Sequence, residues 1–264
     1  MSTASPVVEL DCLIREHGSG LSLRHLVAAG LDRLPLPASG CTLARWRMLA
    51  EVAALDLSLV KLFEGHTDAL AILAELGGPA AQPQSLWGTW CAEPPDARLQ
   101  MRSAGGGGSV RLHGRQAWCS GAAQRSHAVV SGWTDAGEPW LAAVALHQPG
   151  VRVTQEGWPA VGMERSASVD VVFDDAHAVG VGAPGDYVGR SGFWQGGAGI
   201  AACWYGGAVG IGRALQSCCA QASDGHRLAH LGAVESNLAG AAALLRQTAQ
   251  WIDAHPHGNA QAAA

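Results

Sequence analysis

The sequence predicts an α+β protein in three consecutive parts: a helical N-terminal domain, a central antiparallel β-barrel or sandwich, and a second helical region. Two observations predict this. Apolar residues recur at helical spacing as far as Leu76, then give way to short Val-, Leu- and Trp-rich segments divided by turn residues. The helical period returns after about Gly192. The divisions fall at 1–85, 86–183 and 184–264. A chain of 264 residues exceeds the usual size of one domain, so several packed units are expected.

In the first part, Leu43, Trp46, Leu49, Val52 and Ala53 repeat at helical spacing, as do Leu55, Leu59, Leu62 and Phe63. Pro35, Pro37 and Gly40 separate these from an earlier helix starting near Leu21, and Gly77-Gly78-Pro79 ends the run. The second part offers strands at Leu86–Ala92, Ser109–Leu112, Gln116–Ser120, His127–Trp133, Trp140–His147, Val151–Thr154 and Val169–Phe173. The turns Asp135-Ala136-Gly137 and Pro149-Gly150 lie between strands, and the run Gly105–Gly108 reads as a hairpin tip. In the third part, Gly196, Gly197, Gly199, Gly206, Gly207, Gly210 and Gly212 punctuate an apolar helix. Each glycine costs a helix about 1 kcal/mol relative to alanine, so this helix is expected to lie close on neighbouring backbone or a flat cofactor. A last helix carries Leu231, Val234, Leu238, Ala242, Leu245, Ala249 and Ile252 on one face. The residues up to Ala264 read as the start of a further helix, so the C-terminal bundle is expected to be incomplete.

Charge and composition narrow the function classes. Apolar residues make up 48% and charged residues 15%, which suits a buried core. The net charge is −5, Lys61 is the single lysine, and no basic run exists to neutralise a row of phosphates, so no nucleic acid is expected. Glycine and charge interrupt the apolar stretches before the roughly 20 residues of a membrane span, and no signal peptide is read. Seven cysteines in no zinc-ligand spacing predict reduced thiols in a cytoplasmic protein and no metal site.

Three blocks carry the chemistry. Trp90-Cys91-Ala92-Glu93-Pro94 ends one strand in a turn. Leu112-His113-Gly114-Arg115-Gln116-Ala117-Trp118-Cys119-Ser120 places a turn before a strand ending in tryptophan, one residue, then a hydroxyl. Gly162-Met163-Glu164-Arg165-Ser166 leads into Val169–Phe173, Asp174-Asp175 and an extended segment at Ala176–Val179. In order and spacing these resemble the middle domain of acyl-CoA dehydrogenases, which typically shows Thr-Glu-Pro, then Gly-x-Lys-x-Trp-Ile-Thr, then Met-Gly-x-Arg-x-Ser. The helical regions on both sides fit as well, so the resemblance covers nearly the whole chain.

The resemblance implies an FAD flavoprotein that introduces an α,β double bond into an acyl-CoA or carrier-bound acyl thioester. Trp118 would pack beside the flavin ring. The Ser120 hydroxyl would hydrogen-bond near flavin N5, and the backbone of Cys91 and Ala92 would meet the pyrimidine edge. An electron-transfer partner and a homodimer or homotetramer are also implied, with His230–Asp253 similar to the family's dimer-forming helix. Taken alone, Trp118 also fits a core tryptophan, and Ser120 a strand-end cap.

The departures matter equally. Where the family continues with Gly-Ala-Gly-Ser-Asp, a cradle for phosphates, this chain reads Glu93-Pro94-Pro95-Asp96-Ala97-Arg98. The chemistry also needs a carboxylate to take the proton α to the carbonyl. The segment Gly192–Gly212 holds none, and no catalytic base is assigned. Two alternatives therefore stand beside the dehydrogenase: a non-catalytic thioester- or flavin-binding homologue, and a flavin monooxygenase of the same fold. Three lesser signals are mostly set aside. Gly197-Ala198-Gly199 lacks the preceding strand of a dinucleotide site, His226 and His230 lack a third metal ligand, and His66 falls where the family often has a cleft-lining histidine.

Overall fold

The first long helices form because one acidic residue both ends one and starts the next. In the computed structural model, which describes residues 6–157, 159–221 and 224–256, Asp56 is extended. Its carboxylate accepts from the amides of Ser58 (2.7 Å) and Leu59 (3.3 Å). This stops α3 (Thr42–Leu55) and caps α4 (Leu57–Glu75). Two shorter helices precede them, α1 (Pro6–His17) and α2 (Leu23–Ala28). The first of these lies ahead of the helical pattern read from the sequence.

Seven strands follow: β1 (Trp87–Trp90), β2 (Gln100–Ser103), β3 (Ser109–Ser120), β4 (His127–Thr134), β5 (Pro139–Ala145), β6 (Val151–Gly157) and β7 (Ser168–Val181). Pairings β2–β3, β3–β7, β7–β5, β5–β4 and β4–β2 close five strands into a ring. β1 extends along β4, and β6 along β7. The barrel is not wholly antiparallel as predicted: β4 runs parallel to both β1 and β2. The β2–β3 hairpin, turned by Gly105–Gly108, reverses the chain once and the connection from β3 to β4 reverses it again, so β4 re-enters in the direction of β1.

Three strand assignments differ from expectation. His113-Gly114 is a bulge inside one continuous strand and makes no turn. The register with β7 shifts between Leu112 and Gly114, and Gly114 takes φ +118 with its Cβ position 3.0 Å from the Arg98 carbonyl oxygen. Asp174-Asp175 likewise interrupts nothing; β7 runs through it with Asp175 at φ +55. β2 was hidden because only Met101 of its four residues is buried, which leaves no apolar alternation to read.

Helices from both ends of the sequence share one hydrophobic cluster: Trp46, Leu49 and Val52 meet Ala202, Cys203, Ala249 and Ile252. The barrel holds a second cluster around Leu112, Val130, Val171 and Phe173. A third, with Ile72, Leu73, Trp87 and Leu141, joins α4 to the strands. After a one-turn helix α5 (Asp186–Gly189), α6 (Ser191–Gln221) crosses α3 very closely. A Cβ on Gly206 would sit 2.1 Å from the Ala50 carbonyl oxygen, and one on Gly210 2.5 Å from that of Ala54. Backbone contact therefore explains that half of the glycine run.

Asp224 caps α7 (Gly225–Ala254), accepting from the amides of His226 and Arg227 at 2.9 Å. Its predicted apolar face is the one turned inward: Ala249 and Ile252 are buried, and Leu231, Val234, Leu238, Ala242 and Leu245 half-buried. One expectation changes here. α7 is long and apolar enough, by length and composition, to cross a membrane, with a window hydropathy of 1.2. All seven cysteines are free thiols, three of them buried.

Candidate active site

A cavity of about 1000 Å³ opens where β1, β3, the Gly162–Ser168 segment, α4 and α6 converge. Trp118, Ser120, Cys91 and Ala92 all line it. The core alternative for Trp118 does not hold: the indole is 45% exposed, on the cavity side. A second bulge turns it there. Between Gln116 and Cys119 the register with β7 shifts, and Trp118 takes φ +57, an uncommon conformation for a bulky residue. Asp170, buried, holds this kink, accepting from the Trp118 amide (3.4 Å) and from Arg115 Nη1 (2.5 Å). Arg115 Nη2 in turn donates to Asp96 (2.7 Å), which pins the loop after β1.

Ser120 begins a short run of hydroxyls. Its Oγ lies 2.8 Å from Ser168 Oγ, which lies 3.2 Å from Ser166 Oγ, and all three face the cavity. With Ser168 donating, the Ser120 hydrogen is left for a ligand atom. The strand end at Cys91-Ala92 is fixed from behind, because Gln116 Nε2 donates to the Ala92 carbonyl (2.8 Å) and Trp90 Nε1 donates to the Ser120 carbonyl (3.3 Å). Cys91 stays a neutral thiol, since burial pushes it up to about 12.

The opposite wall contains groups that were not singled out in the sequence. Lys61, Glu64 and Asp68 stand at i, i+3 and i+7 on α4 and all line the cavity. Burial, reinforced by Asp68, raises the Glu64 carboxyl to about 7. Asp68 is also raised by burial, with Arg190 acting in the opposite direction. Arg190 anchors this wall: Nη1 lies 2.7 Å from Glu75 Oε2, and Nη2 lies 3.7 Å from Asp68 Oδ1. A polar stripe at helical spacing inside an apolar helix was the available signal. Gly196 and Gly197 line the cavity as well, and nothing lies within 4 Å of a Cβ on Gly197. Gly197 thus leaves room and Gly196 lies 3.5 Å from Asp68 Oδ1, where Gly206 and Gly210 close a seam.

His66 is elsewhere. It is 1% exposed, accepts from the Trp87 amide at Nδ1 (3.0 Å) and places Nε2 3.3 Å from Asp32, so it ties α4 to β1 and to the loop after α2. Among the described residues no His/Cys/Asp/Glu group could hold a metal, and His226 and His230 are exposed.

The same fold is found in solved proteins, some of them in complex with FMN. The dibenzothiophene monooxygenase TdsC from Paenibacillus sp. A11-2, in complex with FMN and indole, superposes with a TM-score of 0.77 at 20% identity, over 96% of this chain and 75% of that one. KijD3, in complex with FMN and a dTDP-linked amino-keto sugar, gives 0.73 at 20% identity over 98% and 76%. The nitrososynthase from Micromonospora carbonacea var. africana gives 0.67 at 18% identity over 94% and 76%. No family model and no curated protein matches the sequence.

Proposed function

We propose that this chain is a flavin-dependent oxidoreductase whose isoalloxazine lies against Trp118 and Ser120, and that it desaturates an acyl thioester next to its carbonyl. The observation that carries this reading is the single cavity joining the Trp118–Ser120 wall to the carboxylates of α4. Its residues fit a flavin. The volume is at the upper end of ordinary ligand sites, an aromatic side chain offers a flat face, and the Ser120 hydroxyl, bonded to Ser168 Oγ, stands two residues away. When bound, the flavin supplies the acceptor for a hydride. The chain's own groups do the rest. Trp118 orients the ring, Ser120 donates toward it, and Phe193 and Trp194 give the cavity further apolar lining.

A second reading, oxygen insertion by a reduced flavin, is favoured by one feature. Pro94-Pro95-Asp96 stands in place of the phosphate cradle expected for FAD and acyl-CoA, which favours FMN over FAD. TdsC and KijD3, which share the fold, are recorded with FMN. The two readings separate in one cuvette. Bleaching of the bound flavin by an acyl-CoA under nitrogen is the expected result. Bleaching only by an external reductase, with reoxidation by oxygen, would select the monooxygenase. A colourless protein that still binds thioesters would select the non-catalytic homologue.

The exposed apolar side chains Trp204 and Ile211 on α6 and Leu244 on α7 support a homodimer or homotetramer through these helices. Light scattering is expected to give a multiple of the 27.2 kDa chain mass, and Leu244→Glu to reduce it. The free thiols support a reducing compartment such as the cytoplasm.

A further inference from the structure

We infer that Glu64 is the residue that takes the substrate's proton in this cavity, with Asp68 and Lys61 as positioning residues. The inference rests on the flavin reading above. It puts the base on α4, before the barrel, whereas the sequence resemblance led to helices after it.

The geometry singles out Glu64. Its side chain is 15% exposed and faces the cavity, and Lys61 Nζ stands 3.9 Å from it, beyond hydrogen-bonding distance. Asp68, by contrast, is drawn toward Arg190 at 3.7 Å, which also holds Glu75. The remaining ionisable groups around Glu64 do not compete near neutral pH. Cys91 after β1 and Cys203 on α6 are pushed up to about 12 by burial, and Tyr187 on α5 is raised beyond its usual range. Arg45 on α3 is buried behind the site and bound to the Pro35 carbonyl and Thr67. Glu164, on the turn facing α4, is exposed at the rim. That leaves a carboxyl half-ionised near neutral pH and able both to accept and to return a proton.

The step balances as follows. The C–H bond next to the thioester carbonyl breaks, its proton passes to a Glu64 carboxylate oxygen, and its electron pair becomes the second carbon–carbon bond. The neighbouring carbon loses hydride, with its pair, to the bound flavin. The substrate is oxidised by two electrons and the flavin is reduced by two.

The test compares wild type, Glu64→Gln and Glu64→Asp, with butyryl-CoA as the thioester. Glu64→Gln is expected to slow both deuterium uptake at the carbon next to the carbonyl, in D2O, and flavin bleaching by about 100-fold or more. Its flavin dissociation constant should stay within about twofold of wild type, because no flavin contact is assigned to Glu64. Glu64→Asp should recover part of the rate. If Glu64→Gln exchanges and bleaches as wild type does, the assignment of Glu64 is overturned while the flavin reading stands. If it loses flavin affinity as well, the role is structural and the inference is again overturned.

A readout without flavin separates the two readings. The folded pKa of Glu64 lies above its ordinary value, so folding favours the protonated form; the contribution is full below about pH 4.5 and is lost as pH rises through about 7. The melting temperature of wild type should therefore fall relative to Glu64→Gln between pH 5 and pH 8. A difference that does not change with pH would show an ordinary surface carboxyl and would sink the inference even where no flavin binds.

Discussion

Gly206→Val is expected to cost about 3 kcal/mol or more of folding stability, the upper range for forcing extra atoms into a filled space. The first added carbon would lie 2.1 Å from the Ala50 carbonyl oxygen and 2.7 Å from Ala50 Cα, so the obstacle is backbone and cannot rotate away. α6 would have to lift from α3 and carry with it Ala202 and Cys203, which belong to the shared helical cluster. Urea denaturation of this variant beside Gly240→Ala checks the claim. Gly240 lies on α7 with nothing within 4 Å of its Cβ position, so alanine there should stabilise by up to about 1 kcal/mol, the ordinary helix preference. Equal effects at the two sites would contradict the close crossing.

Arg190→Met should be comparably damaging for a different reason. The guanidinium is 4% exposed and sits between Glu75 and Asp68, and Tyr187 stacks 5.5 Å from its Cζ. Removing it leaves two carboxylates without their shared guanidinium, and only the more distant Arg45 and Lys61 still act on Asp68; breaking such a pair costs about 3–5 kcal/mol when both partners are buried. Glu75 is 32% exposed, so about 2–3 kcal/mol is expected. The loss should be partly relieved in the Arg190→Met/Glu75→Gln double variant and at low pH, where the carboxyls are protonated. A loss unchanged by either would mean that packing, not charge, is what Arg190 provides.

The order of helix, barrel and helix could be read because long apolar periods survive in the sequence wherever an element has one wet and one dry face. Leu43–Ala53 and Leu231–Ile252 are of that kind. β2 could not be read, because a four-residue strand with one buried side chain has no period. Nor could the two bulges. Gly114 looked like a turn residue, and only the partner strand shows that the extra residue is absorbed within β3.

The cavity was half legible. Trp118, Ser120, Cys91 and Ala92 came from motif spacing, and the fold gathers them on one wall. Their roles toward a flavin remain part of the proposal. Glu64 and Asp68 came from no motif. They are polar residues on a helix that is otherwise deeply buried, and their meaning depends on α6 closing over them. The glycine run shows the same dependence. Sequence alone predicts close approach, but only the crossing with α3 separates Gly206 and Gly210, against backbone, from Gly197, beside open space, and Gly196, whose Cβ position lies 3.5 Å from Asp68 Oδ1.

The account stands or falls on a flat ring held by Trp118. The direct measurement is the equilibrium dissociation constant of FAD and of FMN for wild type and for Trp118→Ala. Wild type is expected to bind at least one of the two, and the variant about tenfold more weakly, as loss of an aromatic wall worth about 1.4 kcal/mol implies. Equal affinity in the two proteins, or no flavin binding by wild type at all, would contradict it.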